Sequence, residues 1–290
     1  MELTLGITLA VLGAGLLHAG WNALLKSAPG GDALLDTATV VAGSSIWGCA
    51  VAPFIGVPAS AAWPYMAASA VIHFGYYLTL AQAYRTGDLS FAYPLMRGSA
   101  PLIVSLLGII FLAELPTAPM AIGIVLISLG ILSIAFVGTG RGGLRKHPPS
   151  AAYWAFANAG LIALYTLVDA SGARVSGNPA AYVSWLIFLE GLPFLAWVFA
   201  RGGQAAVRYV RAGAQRGLIG GACSLAAYGI VLWAMTRAPV AAVAAVAALR
   251  ETSVLFAALM GSLWLKEGFG LPRLAGAATV VAGIVALKLG

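Results

Sequence analysis

Long runs of apolar residues, separated by short polar breaks, follow one another along the whole chain. Apolar and polar positions do not alternate within these runs, so the pattern predicts helices rather than strands. Each crossing of a bilayer needs roughly 20 apolar residues, because an unpaired backbone group in lipid costs several kcal/mol. We therefore predict an all-α integral membrane protein with ten transmembrane helices, at residues 3–25, 34–56, 63–84, 89–112, 117–138, 151–171, 179–200, 215–236, 240–264 and 270–289.

Turn-forming and charged residues mark the breaks between the predicted helices. The longest polar stretch lies in the middle of the chain and carries Arg141, Arg145 and Lys146. It divides the chain into a first unit at residues 1–138, a connecting loop at 139–150 and a second unit at 151–290. The first residues have neither a basic region nor a cleavage site, so we expect the first helix to be retained rather than removed as a signal peptide.

Composition narrows the functional class. Of the 290 residues, 61% are hydrophobic and 9% are charged, whereas about 25% are charged in an ordinary soluble domain. This excludes a soluble enzyme, a disordered chain and a nucleic-acid-binding protein. Cys49 and Cys223 lie inside apolar runs and form no disulfide framework. Catalytic, phosphate-binding and metal-binding motifs are absent from the sequence, so we expect a non-enzyme without a cofactor or metal.

The two halves share a sequence pattern. Three pairs of scarce residues match in one ungapped register: Arg97 with Arg250, Glu114 with Glu267, and Pro119 with Pro272. Because each half has an odd number of predicted helices, the second half must enter the membrane from the opposite side. We therefore expect an inverted 5+5 repeat around a central cavity, which is a design of secondary transporters.

Basic residues are distributed unequally between the two predicted sides of the membrane. Arg174, Arg237 and Lys288 fall on one side. The other side carries Lys26, Arg85, Arg141, Arg145, Lys146, Arg201, Arg208, Arg211, Arg216 and Lys266. The positive-inside rule then places the second group in the cytoplasm and both termini outside it.

Four charged residues lie deep within predicted helices: Arg97, Glu190, Arg250 and Glu251. A charge at the centre of a membrane helix costs roughly 2.5–3.5 kcal/mol on insertion scales, so such residues face protein or water. We expect Arg97 and Arg250 to bind an anionic substrate group, because a guanidinium offers a planar fork of donors. Glu190 and Glu251 are the expected charge partners or proton carriers. The alternative is a static ion-pair network with no role in transport.

Pro94, Gly98 and Pro101 surround Arg97 in the fourth predicted helix. Because proline removes a backbone donor, we expect this helix to kink or loosen near the arginine. A broken helix beside a buried charge indicates a binding site, although a simple packing kink is the open alternative.

Several aromatic and polar residues recur at helical spacing on single faces. They are His18, Trp21 and Asn22 in the first helix, His73, Tyr76 and Tyr77 in the third, Asn158, Tyr165 and Asp169 in the sixth, and Tyr228 in the eighth. Together they could line a substrate cavity, with His18 and His73 able to relay a proton. Hydrogen bonding between helices is the alternative for each of them.

Glycines recur seven residues apart in the fifth helix, at Gly123 and Gly130, and in the tenth, at Gly276 and Gly283. Small residues let helices approach closely. We expect these glycines to pack helices within one half or across a dimer interface.

The sequence also resembles the drug/metabolite transporter superfamily, in its EamA-type branch of ten-helix transporters. The resemblance rests on the segment from Arg97-Gly98-Ser99-Ala100-Pro101 to Glu114, and on its partner from Arg250 to Glu267. It implies an inverted five-plus-five helix bundle with a central cavity, and transport of small metabolites or amino acids, usually outward.

We therefore predict a secondary transporter, an exporter of a small anionic or zwitterionic, amino-acid-like metabolite. It would lie in a bacterial inner membrane or a plasma membrane, with the lipid bilayer as its surroundings and protons as the candidate coupling ion. The alternatives are a flippase for a lipid-linked intermediate, and a non-transporting membrane scaffold or intramembrane enzyme.

Overall fold

A computed structural model describes residues 4–26, 32–87, 89–113, 115–137, 148–256, 259 and 271–289. The described part of the chain contains helices and no strand, which confirms the all-α prediction. The helices are α1 Leu5–Lys26, α2 Ala33–Ile55, α3 Trp63–Thr86, α4 Leu89–Leu112, α5 Ala118–Val137, α6 Pro149–Val175, α7 Pro179–Ala212, α8 Ala214–Arg237, α9 Val243–Arg250 and α10 Leu271–Lys288. Short 3-10 helices, Ser60–Ala62 and Val240–Ala242, precede α3 and α9.

Six helices among the described residues are long and apolar enough to cross a membrane. These spans are Leu5–Asn22, Ala33–Ile55, Phe91–Phe111, Pro149–Val175, Pro179–Ala212 and Ala214–Arg237. Shorter apolar stretches lie in α5 and α10. The third predicted span, α3, is more polar because it carries His73 and four tyrosines. The chain is therefore an integral membrane protein that crosses the bilayer several times.

The interruption expected in the fourth predicted helix lies elsewhere. α4 remains a single helix through both Pro94 and Pro101, because neighbouring helices and small backbone adjustments accommodate the freed carbonyls of membrane helices. The ninth predicted helix is the one that breaks. α9 ends at Arg250, a turn follows at residues 251–252, and helical conformation resumes at residue 253.

Glycine contacts hold α5 against α10. A Cβ on Gly123 would lie 2.8 Å from the carbonyl oxygen of Gly283, and one on Gly130 would lie 2.7 Å from that of Gly276. These pairs run in opposite directions along the chain, so the two helices are antiparallel. The predicted packing role is confirmed, but the contact joins the first half of the chain to the second. Glu114 and Glu267, which the sequence register pairs with each other, lie outside the described residues. The basic residues of the predicted connecting loop lie outside them as well.

α2 lies between α7 and α8 in the packing of the bundle. Its contact with α8 is very close, since a Cβ on Gly43 would lie 1.8 Å from the carbonyl oxygen of Gly217. α1 packs on α8, α3 on α6 and α7, and α4 on α5, α6 and α9. These contacts bring the polar faces of α1, α3, α6, α7 and α8 together around the end of α9.

Candidate functional site

A small cavity of about 80 Å³ lies among these helices. Its wall is mostly aromatic and aliphatic and includes a few polar groups, which is the usual composition of a small-molecule site. Nine of the residues predicted for the site line it: His18, Trp21, His73, Tyr76, Tyr77, Tyr165, Glu190, Tyr228 and Arg250. The other three, Asn22, Arg97 and Glu251, are not part of this lining.

The basic end of the cavity is Arg250, the last residue of α9. Its Nε and Nη2 donate to Oε1 of Glu251 at 2.9 and 2.7 Å. Arg97 of α4 lies behind it, with Nη1 3.3 Å from Oε2 of Glu251. The side chain of Glu251 therefore joins the two arginines that the repeat relates to each other. Arg97 is as deeply buried as Arg250 but is not part of the cavity lining, so it supports the site from behind.

His18 of α1 connects this cluster to the cavity wall. Its Nε2 lies 2.7 Å from Nη2 of Arg97, while the indole nitrogen of Trp21 lies 3.1 Å from its Nδ1 and donates to it. A neutral imidazole accepts at one nitrogen only, so His18 satisfies one of these two donors at a time. Asn22 donates to the backbone oxygen of His18 at 2.8 Å and so secures its own helix.

The acidic end of the cavity is Glu190 of α7. The hydroxyl of Tyr77 donates to its Oε1 at 3.0 Å. Its other oxygen, Oε2, is buried without a hydrogen bond, although Nδ1 of His73 lies 3.1 Å away. The same Nδ1 lies 3.0 Å from the backbone oxygen of Ser69. The hydroxyl of Ser69 also lies 3.1 Å from Nδ1 of His73, so this nitrogen faces two acceptors and one group that can donate or accept.

Tyr165 of α6 lies between the two ends. Its ring stacks on His73 with centroids 4.2 Å apart and planes inclined by 25°. The guanidinium of Arg250 lies 6.0 Å from the centre of the same ring, within the range of a cation–π contact. Tyr76 meets Tyr165 edge-on at 5.6 Å. The cavity thus has a cationic end and an anionic end separated by aromatic rings.

A second buried carboxylate, Asp169 of α6, stands beside the acidic end. It accepts hydrogen bonds from Tyr228 and from Tyr182, the latter at 2.8 Å. The sequence places Asp169 on one stripe with Tyr165, but it gives no indication of the partner Tyr182, which lies on another helix. Asn158, from the same stripe, instead bonds the backbone oxygen of Tyr76 at 3.0 Å and so joins α6 to α3.

No group of three or more metal-ligating side chains is found within the described residues. The carboxylates are engaged by arginine, histidine and tyrosine. The arrangement is therefore suited to binding charged groups of a small organic molecule.

The EamA-like transporter family model matches residues 149–289. The second half of this chain is therefore similar to EamA-like transporter domains. This confirms the resemblance stated above. A solved crystal structure of a protein shares the fold over 98% of this chain and 97% of its own, with a TM-score of 0.73 at 18% identity. No curated protein matches the chain. EamA-like transporters carry small solutes across membranes, and the long apolar helices of this chain are those of a multi-pass membrane protein.

Proposed function

We propose that this EamA-like protein is a secondary transporter that exports small anionic or zwitterionic, amino-acid-like metabolites by alternating access. One observation carries the proposal: Arg250 and Glu190 line the same small cavity, on either side of the Tyr165 and His73 rings. Buried charges that reach a cavity inside a membrane protein mark substrate or ion pathways.

The basic end fits the acidic group of a substrate. The contacts of Arg250 with Glu251 use Nε and one N–H of Nη2, so Nη1 and the second N–H of Nη2 are available to the oxygens of a carboxylate or phosphonate. Two parallel donors of a guanidinium bind such a group with defined geometry. Arg97 adds positive charge from behind through the shared carboxylate of Glu251.

The acidic end fits a substrate ammonium. Oε2 of Glu190 is buried without a hydrogen bond, so a donor that enters the cavity would satisfy it. The faces of Tyr76, Tyr77 and Tyr228 near this end also attract cations. A zwitterion would pair with both ends at once, and this is why the proposal favours amino-acid-like molecules.

Packing supports an inverted repeat with units at 1–138 and 151–290. If each helix is exchanged for its partner five places along, the contacts α1–α8 and α3–α6 exchange, and so do α2–α8 and α3–α7. The contacts α2–α7, α4–α9 and α5–α10 map onto themselves. Because α5 and α10 are equivalent in the repeat and run antiparallel, the two units would have opposite orientations. Such pairs rock around a shared site in alternating-access carriers.

His73 and Glu190 are the proposed proton-coupling pair, with His18 and Glu251 as further candidates. The contact of 3.1 Å between His73 and Glu190 is an ion pair only when the imidazole is protonated. Gain or loss of this proton would therefore change the charge that a substrate meets in the cavity.

Transport by purified protein in proteoliposomes tests the proposal. A panel of zwitterions, anions and cations of similar size is offered under an imposed pH gradient. We expect the zwitterions and anions to be carried, and the rate to fall at least tenfold in Arg250→Ala. If the protein moves lipid-linked substrates and no member of the panel, the flippase is favoured. Unchanged transport rates in both Arg97→Ala and Arg250→Ala would contradict a substrate site built on these charges.

A further inference from the structure

Glu251 is shared by the two repeat-related arginines. Its side chain is fully buried, with 0% exposure. It contacts Arg250 at 2.7 Å and Arg97 at 3.3 Å. One carboxylate is therefore the counter-ion of two guanidinium groups, and neither arginine has a carboxylate of its own in this cluster.

The arginine cluster is one negative charge short. The residue that follows Arg97 in the first half is Gly98, so the first half supplies no counterpart to Glu251. Two guanidinium groups and one carboxylate leave this local cluster with a net positive charge, because Glu190 lies at the opposite end of the cavity and contacts His73 and Tyr77 instead; the ring of His18 also contacts Arg97. An unbalanced buried charge is costly, so a second anion next to this cluster would be stabilised.

Only one member of the cluster meets the cavity from the α9 side. Arg250 belongs to the cavity lining, whereas Glu251 and Arg97 lie behind it. An acid that enters the cavity therefore meets the guanidinium that Glu251 already holds. The substrate and Glu251 would compete for the donors of the same side chain.

The backbone after α9 has 3-10 rather than α-helical hydrogen bonds. Thr252 N bonds Leu249 O at 3.2 Å and Val254 N bonds Glu251 O at 3.1 Å, which is the tighter 3-10 pattern. A stretch of this kind inside a helix often marks a hinge. Gly15 of α1 packs directly on the turn, where a Cβ would lie 3.6 Å from the backbone oxygen of Arg250. The 3-10 hydrogen bonds therefore mark residues 249–254 as the place where the geometry of this helix changes.

The geometry points to Glu251 as an internal competitor of the substrate's acidic group for Arg250, and so as a specificity-determining residue. In the empty cavity Glu251 holds Arg250. When an acid binds, Arg250 transfers donors to it while Glu251 stays on Arg97, and the return of Arg250 to Glu251 promotes release. This inference rests on the proposed function, because it takes Arg250 as the anion site.

Acetate binding to the purified full-length protein tests the competition. Glu251→Gln keeps the size of the side chain and removes its charge. At constant ionic strength, we expect this variant to bind acetate at least tenfold more tightly than the wild type does. Asp36→Asn is the matched control, since it removes a largely buried carboxylate that contacts Tyr209 and lies outside the cavity lining. It should tighten acetate binding far less.

Transport kinetics of Glu251→Gln provide a second measurement, whose expected result differs from that of a purely structural role for Glu251. With the competitor neutralised, we expect KM and kcat for an acidic substrate to fall together, because binding is tighter and release is slower. If Glu251→Gln fails to fold, Glu251→Asp keeps the charge but is one methylene too short to reach both arginines. It should bind acetate with intermediate affinity.

Acetate binding that is unchanged in Glu251→Gln, or equally tightened in Asp36→Asn, would overturn the inference. If Glu251→Gln is unstable, unchanged acetate binding in Glu251→Asp would overturn the inference. The proposed function fails separately, if the wild type carries no member of the substrate panel. If the wild type transports the substrates but Glu251→Gln binds acetate no more tightly, the competitor role of Glu251 is wrong and the proposed function stands.

Discussion

Tyr77 links α3 to the acidic end of the cavity through its hydrogen bond to Glu190. Hydrogen bonds to charged groups contribute roughly 1.5–3 kcal/mol. We expect Tyr77→Phe to raise KM for a zwitterionic substrate about tenfold, with little loss of protein stability. Tyr153→Phe, at a side chain that is 65% exposed, is the control and should leave KM unchanged. Concentration-dependent uptake in proteoliposomes measures both, and equal KM values would remove Tyr77 from the site.

His73 is the proposed carrier of the coupling proton at the acidic end of the cavity. We expect His73→Gln to keep downhill exchange of substrate but to lose accumulation driven by a pH gradient. The amide side chain can still donate to Ser69 or Glu190 but carries no ionisable proton. His147→Gln, in the polar stretch between the halves, should keep full coupling. Coupled accumulation that persists in His73→Gln would assign proton transfer to another group.

Individual site residues were predictable from the sequence because polar side chains are scarce inside membrane helices. His18, His73, Glu190 and Arg250 stood out for this reason, and the structure brings them to one cavity. Their partners were not predictable. The role of Glu251 between two arginines, and the bond from Tyr182 to Asp169, depend on how the helices rotate and approach one another, which one sequence does not specify.

At the scale of the helices, the break after α9 is the feature that could not be predicted from the sequence. Residues 243–256 contain neither proline nor glycine, so the usual signals of a helix break are absent. The turn instead coincides with the buried pairing of Glu251 with both arginines. In α4, by contrast, two prolines stand in a helix that continues through them. Charge pairing therefore marks the interruption here better than proline does.

The close packing of α2 on α8 gives a stability prediction. A Cβ on Gly43 would lie 1.8 Å from the backbone oxygen of Gly217, so Gly43→Ala must push the helices apart. We expect a loss of about 1–3 kcal/mol of stability, as in other overpacked cores. Gly13→Ala is the matched control, because nothing lies within 4 Å of its Cβ position. Thermal unfolding in detergent compares the two, and equal midpoints would contradict the predicted close contact.

At the scale of the whole molecule, the proposed inverted repeat predicts on which side of the membrane equivalent loops lie. Arg85 lies in the last turn of α3 and Arg237 in the last turn of α8, at corresponding positions of the two proposed units, and both are exposed. In a background with Cys49 and Cys223 replaced, we expect Arg85→Cys and Arg237→Cys to react with an impermeant thiol reagent from opposite sides of the membrane. Arg208→Cys should react from the same side as Arg85→Cys, because α3 and α7 run parallel. Reaction of Arg85→Cys and Arg237→Cys from the same side would exclude inversion.

The helical class and membrane location followed directly from the length of the apolar runs. The contacts between the halves, such as Gly123 with Gly283, did not follow, because the glycine spacing shows a packing face but not its partner. The same limit applies to the cavity, whose wall combines residues from both halves of the chain.

Substrate exchange across proteoliposome membranes, compared between the wild type, Arg250→Ala and Tyr153→Phe, tests the central claim most directly. The account predicts saturable exchange of a labelled zwitterion by the wild type and by Tyr153→Phe, and at least a tenfold loss in Arg250→Ala. Exchange in Arg250→Ala at the wild-type rate would show that the guanidinium in the cavity does not bind the substrate.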